Sequence, residues 1–169
     1  HKVTIVPRGH AGGYTLKLPT EDRHLYSRSH FLDELASALG GYTAEELVFD
    51  EITTGASDDL RKATDIARSL VTRFGMSEKF GPIVLGEREE MIFLGREIAT
   101  ERNYSEETAR LIDEEVRKLI DTAHKRAKEI LTRRREKLNE IAQILIEKET
   151  IEKDEFEKIA GKWEQKDET

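Results

Sequence analysis

The chain has 169 residues, a net charge of -7, 37% hydrophobic and 37% charged residues, and no cysteine. Disulfides, thiolate metal sites and a cysteine nucleophile are therefore excluded. The acidic balance argues against nucleic-acid binding, and no apolar run reaches the ~20 residues of a membrane span. High charge with strong periodicity predicts long amphipathic helices. The chain begins at His1 rather than Met and is read as a piece of a longer protein.

Lys2-Val3-Thr4-Ile5-Val6-Pro7 is rich in β-branched residues and reads as a strand closed by proline. Arg8 to Gly13 reads as a loop. Tyr14-Thr15-Leu16-Lys17-Leu18 alternates and ends at Pro19, so the two strands are predicted to form a hairpin. A lone hairpin is marginal in water and must pack on something else.

From residue 20 the pattern turns helical. Phe31, Leu32, Leu35, Ala38 and Leu39 share one face; Ser27 or Ser29 would cap this helix, and Gly40-Gly41 would stop it. Thr43-Ala44-Glu45-Glu46 has the form of a capping box before Leu47-Val48-Phe49. After a polar loop, Ser57-Asp58-Asp59 opens another helix. Its apolar face is Leu60, Ala63, Ile66, Ala67, Leu70, Val71 and Phe74, and Gly75 is its expected C′ residue. Residues 76–102 are less regular, with a turn at Gly81-Pro82.

Ser105 starts the longest periodic stretch, with Ala109, Ile112, Val116, Leu119, Ala123, Ala127 and Ile130 in one stripe. Glu114/Lys118, Asp121/Lys125 and Glu129/Arg133 are supportive i, i+4 pairs. Leu138, Ile141 and Leu145 continue the stripe past an expected break near residues 132–135. Thr150 ends the run, a short helix follows around Asp154–Ala160, and the tail is polar apart from Trp163. The fold class is thus mainly α, a helical domain with a small N-terminal β-hairpin. The expected organisation is a hairpin over residues 1–19, helices over 20–102, a long helical hairpin over 103–160, and a polar tail over 161–169.

Chemistry is sparse. Of the five histidines (His1, His10, His24, His30, His124), no two stand at i, i+4, and H-E-x-x-H is absent from this sequence. Spacing alone therefore does not support a complete zinc site. His124 reads as an ordinary helix residue, and His24 and His30 flank a helix start. Asp58 and Asp59 suit the first turn of a helix, where acids complement the dipole and Ser57 or Asp58 caps. The basic run from Lys125 to Arg135 is interleaved with Glu129 and lacks aromatics, so it reads as a solvated face.

A set of collinear motifs is more specific. Val3-Thr4-Ile5-Val6-Pro7-Arg8-Gly9, Gly13-Tyr14-Thr15-Leu16-Lys17-Leu18-Pro19 and Glu21-Asp22-Arg23 come first. Leu39-Gly40-Gly41, Ala44-Glu45-Glu46, Thr53-Thr54-Gly55-Ala56-Ser57-Asp58-Asp59-Leu60 and Gly75-Met76-Ser77-Glu78 follow. Phe93-Leu94-Gly95-Arg96, Arg102-Asn103-Tyr104-Ser105 and Glu147-Lys148-Glu149-Thr150-Ile151 complete the series. Together they closely resemble the peptidase domain of FtsH-type membrane-anchored, ATP-dependent zinc metalloproteases, over residues 1 to about 160.

The resemblance implies a homo-hexameric protease that degrades membrane and misfolded soluble proteins. It implies an AAA ATPase module using ATP and Mg, and a zinc held by the two histidines of H-E-x-x-H and a distant aspartate. Asp59 corresponds to that aspartate, and Asp58 stands where the family usually has Asn. The catalytic Glu and the histidine pair are expected upstream of His1, so no catalytic residue lies in this chain, and the piece alone is expected to be inactive. The membrane would be reached only through an N-terminal anchor outside the chain, with the peptidase domain on the cytoplasmic side or an organellar equivalent. This stretch itself would be soluble. The strand Tyr14, Thr15, Leu16, Lys17 and Leu18 would either present an edge to an extended polypeptide substrate or simply cover the core. The competing function is a non-enzymatic helical assembly or interaction domain.

Overall fold

In chain order, the computed structural model contains strands β1 (Lys2–Thr4) and β2 (Tyr14–Leu16), then helices α1 (Arg28–Ala38) and α2 (Gly40–Phe49). A single 3-10 turn (Thr54–Ala56) leads into α3 (Ser57–Thr72). Helices α4 (Glu106–Arg133) and α5 (Arg135–Lys148), strand β3 (Thr150–Glu152) and helix α6 (Lys153–Ala160) complete the series. The structure describes residues 2–7, 13–16, 25–85 and 104–161. His10, Lys17, Leu18, His24, the 93–96 motif and Trp163 lie outside the described residues. The mainly α class with a small antiparallel sheet is as expected. Among the described residues, no helix is long and apolar enough to cross a membrane.

Two compact units divide the chain, His1–His24 with Leu131–Thr169, and Leu25–Ile130. In the first, β1 is the central strand of a sheet ordered β2-β1-β3. The predicted hairpin is present, with Lys2 opposite Leu16, Val3 opposite Thr15 and Thr4 opposite Tyr14. The third strand was not anticipated: Thr150, Ile151 and Glu152 pair with Thr4, Val3 and Lys2. Ile151 is fully buried, a contribution of about 1.5–3 kcal/mol. Thr4 ties the two chain ends of this sheet together. Its hydroxyl donates to the Glu149 carbonyl at 3.0 Å and accepts from Thr150 Oγ1 at 2.8 Å and Val6 N at 3.1 Å. Glu149 takes the left-handed conformation (φ 62°) that lets the chain leave α5 and enter β3. Leu16 is 37% exposed, so the apolar alternation of β2 does not produce a buried face.

The second unit holds the main core. Leu35, Ala36 and Leu39 pack with Ala63, Ala67, Leu70 and Val71 of α3 and with Ile112, Val116 and Ala123 of α4. Ser27 caps α1 as expected, its hydroxyl accepting from His30 N at 3.2 Å. Ser105 does the same for Thr108 N at the head of α4.

Two local expectations are corrected here. Gly40-Gly41 does not stop the helical region. The chain bends at Leu39, which keeps near-helical angles, and the glycine pair begins α2. Adjacent glycines permit such a kink at low cost. Thr43 is therefore not a cap but a buried residue inside α2, its hydroxyl donating to the Leu39 carbonyl at 2.7 Å.

The break between α4 and α5 falls at Arg134, within the expected window. On α4, Glu114 turns to Arg110 and to Lys79 (3.2 Å). Phe74 is 48% exposed rather than core, and stacks on Phe31 with ring centroids 5.2 Å apart. Gly75 has φ 61°, and a Cβ there would meet Pro82 Cα at 3.2 Å. Both conditions select glycine at this turn.

Candidate functional site

The segment that leads into α3 is built from short-range polar bonds. Thr53 is extended (φ -110°, ψ 173°), and its hydroxyl accepts from Gly55 N at 3.1 Å, opening the 3-10 turn. Ala56 is buried at the end of that turn, and Ser57 donates its hydroxyl to the Thr54 carbonyl at 2.6 Å. Ser57 thus stabilises the turn instead of capping α3, and neither it nor Asp58 fills the capping role expected of them. The turn does the work of the cap by leading directly into the helix.

Glu45 of α2 anchors this segment from outside. Its Oε2 accepts from Thr53 N and its Oε1 from Thr53 Oγ1, both at 2.9 Å. One carboxylate thereby fixes a backbone and a side-chain donor of the same residue. A Cβ on Gly55 would lie 3.2 Å from Thr53 Oγ1 and 3.4 Å from Glu45 Oε1. A side chain at residue 55 would thus crowd the Thr53 hydroxyl by a few tenths of an ångström. The capping-box reading hid this role, because it assigned Glu45 to the head of its own helix.

Asp58 and Asp59 both stand in the first turn of α3, where the helix dipole favours negative charge. Their surroundings differ. Asp58 pairs with Arg61 at 3.2 Å and also lines a groove of about 470 Å³ with Phe31, Ile66 and Phe74. Asp59 is exposed and has no hydrogen-bonding or ion-pair partner among the described residues. Its Oδ2 stands 3.8 Å from where a Cβ on Gly41 would be. The body of α3 is immobilised below it, with Ala63 and Ala67 fully buried. The Asp59 backbone is thus fixed by α3, while its carboxylate is uncommitted among the described residues.

No group of three or more His, Cys, Asp or Glu side chains capable of holding a metal occurs among the described residues. The segment offers the carboxylates of Asp58 and Asp59, a ligand type that zinc accepts at ~2.0–2.2 Å. His30 is stacked on Tyr26, with centroids 4.8 Å apart. His124 is partly buried on α4, where its Nε2 lies 3.0 Å from Glu46 Oε2. Lys128 Nζ meets the other oxygen of the same carboxylate at 3.0 Å. These hydrogen bonds, Lys128 foremost and His124 next, hold the Glu46 carboxyl below the usual glutamate range. Sequence reading missed this three-residue node. Its signal is the parallel i, i+4 spacing of Tyr42/Glu46 and His124/Lys128.

Comparison with known proteins places the chain. It is 54% identical over 159 residues to the ATP-dependent zinc metalloprotease FtsH 1 of Sphaerobacter thermophilus, covering 94% of this chain and 24% of that protein. It is 52% identical over 160 residues to the ATP-dependent zinc metalloprotease FtsH of Thermotoga maritima, covering 94% of this chain and 26% of that one. The FtsH of Kosmotoga olearia is 54% identical over 162 residues, 95% of this chain and 25% of the relative. The chain thus spans about a quarter of the length of the curated relatives it matches. The class these relatives define is the metalloprotease. The profile of peptidase family M41 matches residues 1–159, and the chain belongs to that family.

Proposed function

We propose that the chain supplies the aspartate arm of the peptidase site in an ATP-dependent zinc metalloprotease, with Asp59 as a zinc ligand. The contrast between the two adjacent acids carries this reading. Both acids are exposed, but Asp58 pairs with Arg61, whereas Asp59 is unpaired among the described residues and stands on a helix whose inner face is buried. Bound in such a site, zinc would supply Lewis acidity toward a scissile carbonyl and toward water. Asp59 contributes negative charge and one oxygen donor. Glu45 and Thr53 hold the segment that aims it. The remaining donors and the general base belong to an H-E-x-x-H segment, which this sequence does not contain.

The wider reading follows the resemblance. The whole protein is a membrane-anchored homo-hexamer that draws on ATP and Mg in an ATPase module and degrades membrane and misfolded soluble proteins. Strand β2 serves the substrate. In the order β2-β1-β3 it is an outer strand of its sheet, the position at which an extended polypeptide adds through main-chain hydrogen bonds.

The test compares the full-length protein with this 169-residue chain on casein. The full-length protein should cleave it in a chelator-sensitive, zinc-restorable manner. This chain alone should not, with or without zinc, because one carboxylate holds zinc weakly and no positioned base is present. Chelator-sensitive cleavage by this chain would show the site to be placed wrongly. A full-length protein inert to casein, ATP and zinc would favour the assembly-domain alternative.

A further inference from the structure

Helix α2 has two working faces. Gly41 and Glu45 are four residues apart and stack on one face; Tyr42 and Glu46 stack on the neighbouring face, ~100° around the axis. The first face meets the aspartate segment, through Glu45 on Thr53 and Gly41 beside Asp59. The second face meets α4. There Glu46 accepts from Lys128 Nζ and bonds His124 Nε2, each at 3.0 Å, and the Tyr42 ring lies edge-on to His124 with centroids 5.5 Å apart at 79°.

We propose that Glu46, with His124 and Lys128, is a positioning residue for the Thr53–Asp59 segment, acting through α2. The inference rests on Asp59 being a metal ligand for its functional consequence, but the bracing itself does not. Both oxygens of Glu46 are used, on two side chains one turn apart on α4, so the contact resists rotation of α2 as well as sliding. Rotation is the sensitive coordinate. An atom about 5 Å from a helix axis moves about 0.9 Å when the helix turns by about 10°. Metal sites tolerate deviations of about 0.2 Å. An exposed ion pair contributes only modestly to global stability, so the principal role of this node is to set orientation.

The experiment uses the full-length protein with Glu46→Ala, His124→Leu, His124→Gln and Lys128→Met. Amide hydrogen exchange is read on the peptides covering residues 53–60 and 63–71, and zinc affinity is read by chelator competition. Glu46→Ala should speed exchange over 53–60 by about fivefold while leaving 63–71 unchanged. It should weaken zinc by about tenfold, the scale of an outer-shell loss. His124→Leu and Lys128→Met should move the same peptide in the same direction, so the test survives if Glu46→Ala does not fold. His124→Gln keeps a donor for Glu46 and should stay near wild type. Unchanged exchange over 53–60 in Glu46→Ala, or equal acceleration across 53–71, would overturn the brace. Faster exchange over 53–60 with zinc binding intact would uphold the brace and locate the error in Asp59 as ligand.

Discussion

The Asp59 carboxylate lies beside Gly41: a Cβ added to that glycine would stand 3.8 Å from Asp59 Oδ2, at ordinary van der Waals contact. Gly41→Ala should therefore be accommodated. It should stabilise α2 by up to about 0.5–1 kcal/mol by removing glycine from a helix, and zinc affinity in the full-length protein should not change. Gly41→Leu extends several atoms into the space used by the carboxylate and should weaken zinc by about tenfold, as losses around a metal ligand do. Paired thermal melts and chelator competitions check both variants. Equal zinc affinity in the alanine and leucine proteins would show that Asp59 does not work from this position.

Strand β2 allows a cleaner test of substrate addition than its sequence suggests. Ile5 N donates to the Glu149 carbonyl on the β3 side of β1, so Lys2 and Thr4, of opposite parity, turn their main-chain groups toward β2. Their partners Leu16 and Tyr14 close the ladder, and Thr15 faces its main-chain N–H outward. Thr15→Pro should then remove an outward donor while sparing the hairpin. Casein degradation should fall about tenfold, with zinc content and ATP hydrolysis retained. Leu16→Pro would break the ladder itself and is the less informative variant. Unchanged degradation in Thr15→Pro would reject addition at this edge.

One hydroxyl joins three groups in the first unit. Thr4 Oγ1 donates once and accepts twice, and Thr4 is 5% exposed. Thr4→Val keeps the shape but takes the hydroxyl from Val6 N and the Thr150 hydroxyl, while the Glu149 carbonyl keeps its bond from Ile5 N. A loss of about 1–3 kcal/mol is expected, measured by chemical denaturation. A cost within error of zero would mean that these groups find other partners.

Glu46 links the α2–α4 contact to pH. Lys128 first, then His124, hold its carboxyl below the usual glutamate range in the folded protein. A depressed carboxylate contributes stability that is fully present above its unfolded value and is lost as pH falls through the folded one. The stability of wild-type protein should thus decline below the ordinary glutamate range more steeply than that of Glu46→Gln, which cannot titrate. Urea midpoints from acid to neutral pH report this. Parallel acid limbs in the two proteins would contradict the pairing.

Much of the helical layout was legible because burial leaves a period. The stripe from Ile112 to Ala123 follows from which side chains leave water, whereas the hairpin was marked by its β-branched residues and not by burial, since Leu16 is exposed. The third strand was not legible. Thr150-Ile151-Glu152 is too short for a periodic signal, and its partner β1 lies at the other end of the chain. The capping-box reading of Thr43 to Glu46 failed for a related reason: local pattern favoured a helix start, while burial of Thr43 and the bonds of Glu45 and Glu46 are tertiary. Asp59 was singled out by family resemblance. Residue type alone gave Asp58 and Asp59 the same explanation, and only their partners separate them.

The most direct measurement is the zinc content of the full-length protein after dialysis against a chelator, for wild type, Asp59→Ala and Asp58→Asn, with ATP hydrolysis recorded as a check on folding. Asp59→Ala should lose zinc and proteolysis while ATP hydrolysis persists. Asp58→Asn should keep all three, because it gives up only an exposed pairing with Arg61. Retention of zinc by Asp59→Ala together with its loss from Asp58→Asn would contradict the account and move the ligand to Asp58.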